Sequence, residues 1–239
     1  GFSYRVLKKD CIDLPPKTYT IRSVELTPEQ KRIYKELKDY AIAELGDSET
    51  VTTNSVITQI LRLQQVLCGF TRADTGEITQ IPSNRVKELL AILEELEGKC
   101  IIWANYQFDI RQIEAEIAKI YGYESVASYY GETPADSRQG IVTKFQDENS
   151  PLRFFVGQPR TGGFGLTLTA ASTVIYYSNS YDLEIRLQSE DRAHRIGQGN
   201  KVTYIDLCAE KTIDEKIIKS LRSKINIATQ VLGEDYREW

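Results

Sequence analysis

The chain has 239 residues, 41% of them hydrophobic and 27% charged, with a formal net charge of −4 and a sequence pI near 5.3. That length suits a core domain with a smaller appendage; no apolar run approaches the roughly 20 residues of a membrane span, and the opening GFSYRVLKKD lacks a signal peptide's apolar stretch. A soluble, cytoplasmic protein with no membrane partner is expected, and its acidic balance argues against tight nucleic-acid binding by bulk charge while leaving room for a local basic track.

In chain order, a short strand is predicted within TYTIRSVEL, followed by a helix from TPEQ. Thr27 is placed to cap it, Pro28 suits its first turn, and Gln30 completes a capping-box pattern at the third helical position. The helix continues through KRIYKELKDYAIAEL and stops near Gly46. A second amphipathic helix is predicted from Asn54 to Leu67, with Ile57, Ile60, Leu61 and Leu67 on one side. FTRADTGEITQI then reads as a hairpin around Asp74-Thr75-Gly76. Residues 1–80 therefore form a small, mostly helical region, and residues 81–239 a second one with a different rhythm.

That second region opens with Ser83 capping NRVKELLAILEELE, which Gly98 ends. The apolar runs CIIWA, SVASYY, LRFFVG, TVIYYS and VTYIDLC follow, each succeeded by a helical pattern beginning near Phe108, Pro134, Gly165, Leu183 and Thr212. Alternation of this kind predicts an α/β fold: a buried parallel sheet with right-handed crossovers and helices on both faces. Ligands in such sheets bind at the carboxyl ends of the strands. The loops of interest are therefore Asn105-Tyr106-Gln107, Gly131-Glu132-Thr133, Gln158 to Gly165, and Ser178 to Asp182.

Two segments have the composition of chemistry. In GQPRTGGFGLTLTAA, residues 157–171, Gly162, Gly163 and Gly165 free the backbone just after a strand. Such a loop suits N–H groups approaching a phosphate, or it is a tight turn at a strand–helix junction. It does not match the GxGxxG dinucleotide pattern. In QSEDRAHRIGQ, residues 188–198, Gln188, Arg192 and Arg195 fall at i, i+4 and i+7 and would form one helical stripe, with His194 on a neighbouring face. Asp191 precedes Arg195 by four positions and Glu190 precedes His194 by four, pairs worth only about 0.3–0.5 kcal/mol each on a solvated helix. The alternative use of two arginines on one stripe is a phosphate, whose geometry their forked donors match.

Several chemistries are excluded or disfavoured. No GxxxxGKS/T phosphate loop occurs, and no apolar strand ends in Asp-Glu to hold magnesium. Cys11, Cys68, Cys100 and Cys208 lie far apart, so no CxxC pattern exists. His194 is the sole histidine, which disfavours His-based zinc sites and Ser-His-Asp hydrolysis, and no protein-held metal is expected. The lack of any methionine, including at position 1, points to a piece of a longer polypeptide.

Taken in order, TGGFGLTLTAASTVIYYSN and QSEDRAHRIGQ resemble motifs V and VI of superfamily 2 helicases, in the Swi/Snf-type ATPase branch. KCIIWANYQ looks like motif IV. YYGETPADSRQGIVTKFQ is similar to another segment of that family through Gly131, Arg138 and Phe145, and LPPKTYTIRSVELTPEQKRIY resembles the connector between its two ATPase lobes. The likeness covers nearly the whole chain and looks most like compact bacterial and phage members. It implies a RecA-like second lobe plus connector, with ATP and Mg2+ held mainly by a first lobe, and with double-stranded DNA and that N-terminal lobe as partners.

By this resemblance Arg192 and Arg195 would be arginine fingers, a role worth about 10³–10⁵ in rate. Gln188 would order motif VI, with Asp191 and Gln198 beside the nucleotide, and Gly163 and Gly165 would shape motif V. Thr161, Gly162, Asn105 and Arg138 would contact DNA, although Arg138 is equally a structural ion-pair residue. Two departures stand out: Pro159 occupies a position expected to carry a hydroxyl, and SNSYDLEIR lacks the branch's Trp-Asn-Pro. The competing expectation is a non-catalytic RecA-like module that binds nucleic acid or protein.

Overall fold

A computed structural model describes residues 14–47, 53–73, 75–161 and 165–232. The chain divides into two compact units. One takes in residues up to Ile21, Leu96–Asp206 and the chain from Ile217; the other takes in Arg22–Glu95 and Leu207–Lys216. These units cut across the 80/81 division read from sequence texture.

The first unit is built on a sheet whose strands are β1 (Lys17–Ser23), β4 (Lys99–Trp103), β5 (Val126–Tyr129), β6 (Phe154–Gly157), β7 (Ala171–Tyr176) and β8 (Val202–Cys208), in the order β1-β8-β7-β4-β6-β5. The pairs β4/β6, β4/β7, β5/β6 and β7/β8 are parallel. This is the α/β architecture expected from the alternating pattern. The inner strands are continuous apolar runs because both of their faces are covered: Cys100 to Trp103 and Phe154 to Val156 are buried throughout. Trp103, Phe145, Phe155, Val174, Tyr176 and Tyr204 form the core. At the end of β6, Gly157 is required by space alone, because a Cβ there would stand 2.9 Å from the Trp103 ring and 3.0 Å from the Tyr129 carbonyl oxygen.

Helices α4 (Gln107–Tyr121), α5 (Ala135–Gln146), α6 (Leu183–Glu190) and α7 (Ile213–Leu232) follow strands, starting within two residues of the expected positions. The helix expected near Gly165 is not formed. Among the described residues the β6–β7 connection is turn and loop. Glycine costs about 1 kcal/mol per helical position relative to alanine, and Gly165 has φ +87°. The loop's polar groups are satisfied elsewhere: Leu168 N–H donates to the Arg192 carbonyl, Ala170 N–H to Gln146 Oε1, and Gln146 Nε2 to Thr169 Oγ1.

The second unit contains α1 (Pro28–Asp47), α2 (Thr53–Cys68), the antiparallel hairpin β2 (Phe70–Arg72) and β3 (Ile78–Gln80), and α3 (Arg85–Glu95). The capping box forms reciprocally. Gln30 N–H donates to Thr27 Oγ1 at 3.2 Å, and Thr27 N–H to Gln30 Oε1 at 3.1 Å. The hairpin appears where predicted, although Asp74 lies outside the described residues. Ser83 Oγ accepts the Arg85 N–H, and α3 stops at Glu95, ahead of Gly98.

The buried face of α2 differs from expectation. Leu67 is buried, but Ile57 is 48% and Leu61 43% exposed, while Gln59, Leu63, Gln64 and Val66 face inward. Gln30 decides the rotation: its Nε2 donates to the Val66 and Leu67 carbonyls. Arg85, fully buried, donates from Nε to the Leu67 carbonyl and pairs with Asp214.

Candidate functional site

The loops beyond the carboxyl ends of β4, β6 and β7 are cross-linked through backbone groups. Asn105 N–H donates to Ser178 Oγ at 2.9 Å, and Gln158 Nε2 donates to the Asn105 carbonyl at 2.8 Å. Gln158 Oε1 accepts from Thr161 Oγ1 at 3.3 Å. Asn105 is thus pinned by its main chain, and its side-chain amide, half-buried, has no hydrogen bond to another described residue. Gly165 is exposed with open space where a Cβ would be; Gly162 and Gly163 lie outside the described residues.

Arg138 serves the turn after β5. Its Nε donates to the Thr133 carbonyl at 3.1 Å, its Nη2 to the Tyr130 and Gly131 carbonyls at 3.4 Å, and its guanidinium sits over the Tyr129 ring. Those acceptors are main-chain oxygens, so the ion-pair alternative for Arg138 is replaced by backbone bonding.

Helix α6 starts at Asp182, whose side chain accepts the Ile185 N–H, and ends at Glu190. Beneath it lies a cluster that sequence reasoning missed. Arg186 donates to Asp206 Oδ1 at 2.6 Å and Oδ2 at 3.2 Å, to Asn179 Oδ1 at 2.7 Å and to Glu190 Oε1 at 2.8 Å, and stacks on Tyr176 with its centre 3.5 Å from the ring centroid. The other oxygen of Glu190, Oε2, accepts from Lys17 Nζ at 3.0 Å and Tyr19 OH at 2.8 Å. Burial pushes the Glu190 carboxyl up, but Lys17 and Arg186 outweigh it and hold the group below its usual value. Arg186 shows the converse: burial opposes its charge, and Asp206, Tyr176 and Glu190 more than restore it. Two cations and two anions therefore balance in the interior, the condition under which buried charges persist. Arg186 and Glu190 stand at i and i+4, and Asp206 interrupts the apolar run VTYIDLC. Those were the available signals; nothing in sequence pairs Lys17 with them.

Because α6 ends at Glu190, the expected continuous stripe is corrected: Gln188 is helical, while Arg192 and Arg195 sit on the turns that follow. The Asp191–Arg195 and Glu190–His194 pairs do not form. Glu190 is turned into the buried cluster, His194 Nε2 donates to the Pro15 carbonyl at 2.7 Å, and Arg195 has no ion pair with any described residue. Gln188 bonds Glu184 at 2.9 Å, and Asp191 caps the helix through its N–H. Gln198 is buried, and its Nε2 reaches the carbonyls of Thr169, Ala171 and Ala193 at 2.9–3.1 Å. It ties the turn to the glycine-rich connection, alongside the Leu168–Arg192 bond.

Held this way, Arg192 is half-buried and Arg195 exposed. The Arg192 guanidinium is lowered from its usual pKa, first by burial and then by the Arg195 charge, with Asp191 only partly opposing. The two guanidiniums are thus close enough to repel one another. Among the described residues no cluster of His, Cys, Asp and Glu has metal-holding geometry.

Residues 83–197 match the family described as helicase conserved C-terminal domain. That match and the α/β architecture make this part of the chain similar to the C-terminal RecA-like lobe of superfamily 2 helicases, Swi/Snf-type ATPases among them. The chain is 29% identical over 232 residues to an uncharacterized ATP-dependent helicase of Mycoplasma pneumoniae, a match covering 97% of the chain and 22% of that protein. It is 27% identical over 248 residues to the CHD3-type chromatin-remodeling factor PICKLE of Arabidopsis thaliana, covering 96% of the chain and 18% of the relative. The chain thus spans about a fifth of the length of the curated relatives it matches. Among solved structures, the Sulfolobus solfataricus SWI2/SNF2 ATPase core in complex with double-stranded DNA aligns with a TM-score of 0.71 and 27% identity, over 89% of this chain and 45% of that one. The C-terminal part of the Fun30 ATPase domain shares the fold, with a TM-score of 0.70 at 19% identity, over 87% and 90% of the two chains.

Proposed function

We propose that this lobe is the second half of an ATP-dependent double-stranded-DNA translocase, with Arg192 and Arg195 as its arginine fingers. The observation that carries the reading is the pair of neighbouring guanidiniums on a braced turn, one half-buried and one without an ionic partner among the described residues. ATP with Mg2+, held mainly by a first RecA-like lobe, would supply the phosphoryl group whose transfer drives the motor. Arg195, exposed, reaches the γ-phosphate on closure, and Arg192 neutralises developing charge beside it. Gln188 and Asp191 flank the nucleotide, while Gln198 links the finger turn to the connection that holds Gly165. Asn105, Thr161 and the Arg138-braced turn face the DNA backbone. Contacts of that kind position a motor on phosphates without reading bases, and reopening after hydrolysis would move the lobe along them.

The test is Arg195→Ala in a polypeptide carrying both lobes. DNA-stimulated ATP turnover should fall by about 10³–10⁵-fold, with no loss of thermal stability because the side chain makes no ion pair with any described residue. Unchanged turnover would overturn the assignment.

A further inference from the structure

Beside the finger turn runs a segment with no part in the phosphate chemistry just described. Pro15 to Tyr19, entering and beginning β1, lies along residues 190–202 of the same compact unit. Four contacts tie the two together. Lys17 Nζ and Tyr19 OH both donate to Glu190 Oε2, at 3.0 and 2.8 Å. His194 Nε2 donates to the Pro15 carbonyl at 2.7 Å, and Val202 N–H donates to the Pro16 carbonyl at 3.2 Å. Tyr19 also stacks on Tyr204, ring centroids 5.1 Å apart, and Tyr204 OH donates to the Glu190 carbonyl at 3.0 Å.

Three of the four contacts land on Glu190 or His194, the residues that bracket Arg192 in the finger turn, and the fourth anchors the segment to β8. Glu190 is the last residue of α6, and its carbonyl accepts the His194 N–H at 3.1 Å. Arg192 lies between the two contacted residues, and Arg195 directly follows His194. A surface helix end would fray; this one is clamped through a carboxylate with no exposed side-chain area and a lysine that is 13% exposed. The ionic form makes the end of α6 depend on where the 15–19 segment lies.

We propose that Lys17, with Tyr19 and His194, is a positioning residue: the Pro15–Tyr19 segment is a strap that holds the finger turn in register, so that displacement of the strap withdraws Arg192 and Arg195 from the nucleotide. This rests on the arginine-finger reading. The strap touches neither phosphate nor DNA; it acts through Glu190 and His194. Movement of the chain that precedes it would therefore be transmitted to the fingers without any shift of the central strands.

The experiment compares Lys17→Met, Lys17→Arg, Tyr19→Phe and Arg195→Ala, singly and with Lys17→Met and Arg195→Ala combined, in a polypeptide carrying both lobes. Misplacement of a catalytic group by about 1 Å costs on the order of 10²-fold, so Lys17→Met should lower kcat to that extent with little change in KM for ATP. Tyr19→Phe should lower it less, because the stacked ring remains. Lys17→Arg should restore most of the rate, and adding Lys17→Met to Arg195→Ala should cost nothing further. In the 239-residue chain, hydrogen exchange at the Arg192, His194 and Gln198 amides should quicken in Lys17→Met while Ile101 and Ile102 stay protected. If Arg195→Ala is itself without effect, the finger reading fails. If Arg195→Ala is effective but Lys17→Met is silent, or its effect multiplies that of Arg195→Ala, the strap is refuted and the finger reading survives. Exchange that quickens equally at Ile101 would likewise refute it, showing a fold defect rather than a loosened turn.

Discussion

A carboxylate moved from water to a protein interior loses several kcal/mol of solvation unless cations and donors replace it. Glu190 obtains that replacement from Arg186, Lys17 and Tyr19, while Asp206 balances the second positive charge. The phenols of Tyr19 and Tyr204 are raised, by burial first and by Glu190 next, and so remain protonated donors. Glu190→Gln keeps the shape but removes one charge of the balanced set, and breaking such a buried pair typically costs about 3–5 kcal/mol. The sign of its pH dependence follows from the depressed carboxyl. Its stabilisation is fully present above the ordinary unfolded carboxylate value of about 4.3 and is lost as pH falls through the lower folded value. Denaturant titrations from neutral to acid pH should show that loss in the native chain and a flatter acid limb in Glu190→Gln. Of these residues, only the Arg186–Glu190 spacing and the interruption of VTYIDLC by Asp206 were legible in sequence. Lys17 lies 173 positions from its partner, and no local pattern encodes a pair of that separation.

Among the elements, those governed by local chemistry matched expectation. The Thr27/Gln30 capping box is local, since both of its bonds span three residues. Gln30 goes further, capping one helix with its Oε1 and holding the carbonyls of a second with its Nε2. Thr27→Ala should therefore cost about 1 kcal/mol, as an ordinary cap loss. Gln30→Ala should cost more, because it removes the bonds to the Val66 and Leu67 carbonyls as well as the cap bond, each worth about 0.5–1.5 kcal/mol. Equal losses in chemical denaturation would contradict that dual role. The α2 face and the β6–β7 connection departed from expectation for one reason. In α2, apolar spacing allowed Ile57 and Leu61 to point inward, but the partner's hydrogen bonds at Val66 and Leu67 chose another rotation. After β6, the glycine loop satisfies its backbone through Gln146 and Gln198 rather than through helical bonds. The finger stripe failed likewise: α6 stops where Glu190 is drawn into the interior, so a run readable as a single helix becomes a helix and a turn.

At the scale of the molecule, the sequence contains two candidate finger arginines and no phosphate loop. The chain by itself should consequently bind ATP and DNA weakly and hydrolyse no measurable ATP. A steady-state assay on the purified 239 residues, with and without duplex DNA, checks this, and turnover above background would contradict the division of labour between two lobes. With a net charge of −4, the proposed DNA affinity would come from local contacts. It should fall steeply with salt, as counterion release requires, and be indifferent to base sequence.

Alternating apolar runs determined the parallel sheet, and the short motifs determined which turns matter, because strand burial and capping are set by residues near one another in the chain. The family likeness was legible for the same reason: motifs V and VI are contiguous. Tertiary structure alone decided where the arginines stand beyond the helix end, what lies beneath them, and that the 15–19 segment contacts Glu190 and His194 beside them. Those outcomes depend on charges brought together from positions 17, 186, 190 and 206, and buried charge compensation is a property of the folded interior rather than of any stretch of sequence.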